Sequence, residues 1–97
     1  MNLQEYRFLI QSFVDGSISI DKFESTYLHA IKNEREMDNI PFAILQNLFE
    51  DVDAYSPLWS SEDENAYRIT EKTLRQEAQQ ALKEINQYMK SRTNTSL

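Results

Sequence analysis

Residues 13–23, FVDGSISIDKF, decide how this chain folds. They interrupt one segment of helical periodicity and start another. Gly16, the single glycine of the chain, suits the left-handed residue that commonly ends a helix. Ser19 is placed to cap the helix that follows, and Ile18 and Phe23 are placed as a hydrophobic staple across that cap. Upstream, residues 2–14 read as a first helix. Asn2 with Glu5 three positions on forms a capping-box pattern, and Leu3, Tyr6, Ile10, Phe13 and Val14 share one face. Downstream, residues 20–35 read as a second helix with Ile20, Phe23, Tyr27 and Ile31 facing a core. Lys32 and Arg35 lie near its C-terminal end, where the helix dipole favours positive charge.

The remaining periodicity is also helical. Asn39-Ile40-Pro41 opens a third segment, with Pro tolerated in the first turn and Phe42, Leu45, Leu48, Phe49 and Val52 as its buried stripe. A last helix is expected over residues 70–90, capped by Thr70, with Leu74, Ala78, Ala81, Leu82, Ile85, Tyr88 and Met89 inward and "TNTSL" as a frayed tail. One glycine and two prolines leave little material for the tight turns of a β fold. The expected architecture is all-α, a single domain over 1–97 forming an antiparallel four-helix bundle or close variant.

Charge separates the function classes. Of 16 acids, eight fall between Glu36 and Tyr67, a stretch with no Lys or Arg; the rest of the chain has eight acids and ten bases. Nucleic-acid binding needs clustered bases, and those of the last segment alternate with Glu71, Glu77 and Glu84, so no direct nucleic-acid partner is expected. The absence of cysteine excludes disulfides and thiolate metal sites. A lone glycine excludes phosphate-cradling loops. His29 has no nucleophile partner or HExxH pattern, and with Glu34 or Glu36 it gives no ligand spacing characteristic of zinc. Neither a cofactor nor catalysis is expected. No apolar run reaches the roughly 20 residues of a membrane span, and the N-terminus lacks the pattern of a signal peptide. A soluble cytoplasmic protein is the expectation.

The unusual feature is FEDVDAYSPLWSSEDENAY, residues 49–67, with six carboxylates (Glu50, Asp51, Asp53, Glu62, Asp63, Glu64) beside Tyr55, Trp59 and Tyr67. Acid clusters speed encounter with basic surfaces, and Trp and Tyr are favoured interface anchors. Such a stretch can also serve solubility alone, in which case the chain is an adaptor or structural subunit of a helical assembly. Tyr67, close to the last helix, can equally tuck into the core.

Taken in order, "FVDGSISIDKFESTYL", "ILQNLFEDVDAYSP" and "YRITEKTLRQEAQQAL" resemble the colicin D-type immunity proteins, a family that includes immunity proteins of contact-dependent growth inhibition systems. The resemblance implies a compact helical bundle that binds the nuclease domain of a cognate toxin, typically a tRNA-cleaving one, at its basic active-site cleft. It implies partner-binding roles for Asp51, Asp53, Tyr55, Glu62, Asp63 and Glu64; the aromatic argument adds Trp59.

Overall fold

The computed structural model describes residues 1–34, 41–60, 62, 64 and 68–95, with side chains to 91. Asp63, Tyr67, Glu36, Arg35, Ser61 and the Asn39-Ile40 pair lie outside the described residues. Four helices follow in order: α1 (Leu3–Val14), α2 (Ile20–Lys32), α3 (Phe42–Ala54) and α4 (Glu71–Thr95). They form an all-α four-helix bundle around one apolar cluster.

Local chemistry sets the first two helices. The Asn2 side chain accepts the Glu5 N–H while Glu5 accepts the Asn2 N–H, completing the capping box. At the far end Gly16 takes φ +81°, its N–H donates to Phe13 O, and the Ser17 N–H donates to Ser12 O. Those two bonds and the left-handed glycine make a Schellman turn, which satisfies carbonyls that the helix end leaves open. Ser19 then caps α2 by accepting the Lys22 N–H.

Aromatic packing joins the hairpin. Phe13 stacks on Phe23 with centroids 4.2 Å apart, Phe23 on Tyr27 at 5.4 Å, and Tyr6 meets Tyr27 edge-on at 6.1 Å. The buried Tyr27 hydroxyl donates to Leu45 O at 2.7 Å, tying α2 to α3. Arg75 fixes α4 against α1: its guanidinium lies 4.4 Å from the Phe13 ring centroid and donates to Phe13 O, while its Nε pairs with Glu71. Glu34, its side chain 2% exposed, receives the Tyr6 hydroxyl and the amino-terminal ammonium.

Several boundaries differ from those the sequence predicts. α2 stops at Lys32, because Asn33 caps it and turns its side chain amide back to His29 O. Pro41 occupies the cap of α3, one position before the helix, and Phe42 at the first helical position is 40% exposed rather than buried. Leu9, absent from the expected stripe, is buried; Val14, Ile20, Phe49, Tyr88 and Met89 are half-buried against the cluster. α4 continues to Thr95. Residues 91–95 hold neither Gly nor Pro, and extending an established helix adds one hydrogen bond per residue fixed.

Since Phe23 contacts both Phe13 and Tyr27 and is fully buried, Phe23→Ala is expected to destabilise the fold by about 3–5 kcal/mol. Urea unfolding followed by circular dichroism measures it. A loss below ~1 kcal/mol would contradict this role of the stack.

Candidate functional site

The acidic connection begins at the wrong end of a helix for negative charge. Asp51 and Asp53 occupy the last turn of α3, which carries no base and has no side-chain cap at its start. Each such placement costs roughly 0.3–1 kcal/mol at low salt. Tyr55 caps the end of α3, and its backbone forms an isolated parallel bridge with Ile69; the Ile69 N–H donates to Ala54 O at 3.2 Å. This clamp brings the start of α4 to the end of α3 and holds the two ends of the connection together.

Packing assembles an acidic face that no single segment contains. α2 and α3 lie side by side, so the first turns of α2 meet the last turn of α3. Burial, then Asp21 and Asp53, push the Glu24 carboxyl above its ordinary range. Burial, then Glu71, Asp21 and Glu24, raise the Tyr55 phenol. Asp21 and Glu24 of α2 and Glu71 at the start of α4 thus lie near Tyr55, and Asp53 of α3 lies near Glu24. Asp21, Glu24 and Asp53 form no ion pair among the described residues, whereas Glu71 is paired with Arg75 at 3.0 Å. Sequence reading missed Asp21 and Glu24, because their contribution depends on which helices pair.

Asp51 has a different environment. It is half-buried, and its carboxyl is pushed up to about 6 by burial first, then by Glu77 and Glu50 and by a hydrogen bond shared with Glu77 of α4. Two carboxyl groups in contact are most stable with one proton between them. Above about pH 6 the fold must hold Asp51 ionised against these acidic neighbours.

The other expected residues divide by role. Tyr55 is 8% exposed and belongs to the core cluster. Asp53 and Glu62 are exposed. Glu64 Oε1 accepts the Thr70 N–H at 3.2 Å and the hydroxyls of Thr70 and Thr73; those bonds, Thr70's foremost, hold its carboxyl below the usual range. It therefore braces the start of α4, where the Thr70 hydroxyl also accepts the Thr73 N–H. Trp59 is half-buried, with the Arg68 guanidinium 4.8 Å from its ring centroid. Beside it Leu58 is 82% exposed, an apolar tip that sequence reading overlooked. Composition offered no signal for it beyond a leucine after a proline in a turn. Asp63 lies outside the described residues.

His29 is exposed and contacts Asn33, and Glu34 is engaged by Tyr6 and the amino terminus. Among the described residues no group of three or more His, Asp or Glu is placed to hold a metal ion, and no helix is long and apolar enough to cross a membrane. The chemistry this face can offer is recognition of positive charge, from acids held on the ends of packed helices.

The sequence profile of the family described as bacterial self-protective colicin-like immunity matches residues 1–85, so the chain belongs to that family. No curated protein and no solved structure gives a significant match.

A carboxyl whose pKa is raised in the fold makes stability fall as pH rises from its unfolded value near 4 to about 6. Asp51→Asn, which keeps a hydrogen-bond donor for Glu77, is expected to stabilise the protein at pH 7 by about 1 kcal/mol, after discounting for solvent screening at a half-buried site. That gain should vanish below about pH 4. Chemical denaturation at pH 4 and pH 7 measures both; an equal effect at the two pH values would contradict the shared proton.

Proposed function

We propose that this member of the colicin-like immunity family neutralises a cognate bacterial nuclease toxin, of the tRNA-cleaving class, by laying its acidic face over the toxin's basic active-site region. The toxin would be met in the cytoplasm, delivered by a colicin or by a contact-dependent growth inhibition system. The observation that carries the reading is the convergence of Asp21, Glu24 and Asp53 from two helices, without a base paired to them among the described residues.

A cleft that binds RNA phosphates presents Lys and Arg, and a surface of carboxylates competes for the same groups. Steering by opposite charge raises the association rate, and charges already fixed on helix ends lose little freedom on binding. In this reading Asp53, Glu24, Asp21 and Glu62 face the toxin, with Asp51 at the edge of the contact. Trp59 and Leu58 supply the apolar anchor beside the charge, Trp59 with its ring already covered on one side by Arg68. Tyr55 and Glu64 act from behind, fixing the end of α3 and the start of α4. Asp63 is proposed as a contact on sequence grounds alone. Inhibition by this route needs binding and no catalysis by the immunity protein.

Replacing Glu24 and Asp53 together by Lys is expected to leave the fold intact, since Asp53 is exposed and Glu24 is only half-buried. Association with the toxin's nuclease domain should slow by about ten-fold or more at low salt. Stopped-flow association and a tRNA-cleavage inhibition assay read the effect. Reversal of Glu84, on α4 and outside the acidic face, serves as the control. Equal rates for the double variant and the unmodified protein would remove the acidic face from the mechanism.

A further inference from the structure

On the side of the molecule formed by α1 and α2 lies a groove of about 500 Å³, lined chiefly by apolar surface. Phe8 stands at its wall, 73% exposed, and Leu9 and Ile18 contribute to its lining. The groove also carries Glu5 from α1 and Lys22 from α2. Lys22 forms no ion pair among the described residues, and Glu5 uses Oε1 to cap Asn2. At 100° per residue, Lys22 and Thr26 fall on one flank of the buried Phe23–Tyr27 stripe, and Asp21 and Glu24 fall on the other. The groove therefore lies away from the acidic face.

We infer that this groove is the interface for a second copy of the same chain, arranged about a two-fold axis. A two-fold interface must be self-complementary, so each feature has to find its counterpart on an identical surface. This one presents an aromatic knob beside a recess, and an acid and a base on opposite walls. A two-fold seats Phe8 of each copy in the recess of the other and sets Glu5 of each against Lys22 of the other. Charge selects this occupant. The chain carries −6 overall, so two copies repel across most approaches. Glu5 and Lys22 cancel, and the Met1 ammonium, also at the groove, is paired with Glu34, so this face is close to neutral. It offers no attraction to the basic partner that the acidic face suits. The resulting dimer keeps both acidic faces outward, so self-association and toxin binding are separable properties.

Sedimentation equilibrium of the full chain, over about 5–500 µM, tests the inference. The unmodified protein should show a reversible monomer–dimer equilibrium in that range, the span expected of a modest apolar contact. Phe8→Ser removes two buried rings per dimer and should raise the dissociation constant by about 100-fold or more. Its thermal unfolding should stay unchanged, because the ring is exposed in the monomer. Lys22→Glu places a carboxylate in the first turn of α2, where the helix dipole tolerates it, and should raise the constant by about ten-fold through Glu–Glu repulsion. A monomer at every concentration, or a dimer unmoved by either substitution, overturns the inference. Neither outcome bears on the toxin reading, which depends on other residues.

Discussion

The stack of Phe13, Phe23 and Tyr27, closed by the Tyr27 hydroxyl on Leu45 O, is the contact on which the rest of the molecule depends. It sits at the turn of the α1–α2 hairpin, where the Gly16 turn and the Ser19 cap already direct the chain back on itself. With the rings packed and the Tyr27 hydroxyl on Leu45 O, α2 lies against α3 so that Glu24 comes near Asp53. Arg75 extends the same logic to α4 by covering Phe13 and binding its carbonyl. The acidic face is thus a product of core packing, in which aromatic burial, a large favourable contribution, holds like charges together against their repulsion.

That repulsion leaves a trace. Burial, then Glu77 of α4 and Glu50, push the Asp51 carboxyl up to about 6. Asp51 and Asp53 also oppose the dipole of their own helix. Both placements are local costs in stability that the core packing has to offset. The clamp between Ala54 and Ile69, with Glu64 bracing Thr70 and Thr73, fixes the two ends of the acidic connection through backbone and hydroxyl bonds.

The helices were legible in the sequence because their signals are local. Asn2 with Glu5, Gly16 and Ser19 each act within four residues, and the apolar stripes repeat within each helix. Thr70 at the start of α4 was legible for the same reason. Ends without a dedicated residue were less so: α4 carries no stop signal before Thr95, and Asn33 ends α2 through a side chain bond to its own helix. The candidate site was half legible. Composition located the acids around Asp53, but Asp21 and Glu24 join them only through the pairing of α2 with α3. Tyr55 looked like its neighbours Trp59 and Tyr67 in sequence, yet the bridge to Ile69 pulls it into the core. Glu64 reads as surface charge, and its bonds to two threonines across the connection are tertiary facts.

The central claim is electrostatic: fixed carboxylates at the meeting of α2 and α3 draw in a basic cleft. Its most direct test is the association rate of the unmodified protein with its cognate nuclease domain, measured from about 50 to 500 mM salt, a span over which the screening length shortens from about 14 to 4 Å. The account predicts that the rate falls steeply across this range while the dissociation rate changes little. An association rate that stays flat would contradict it.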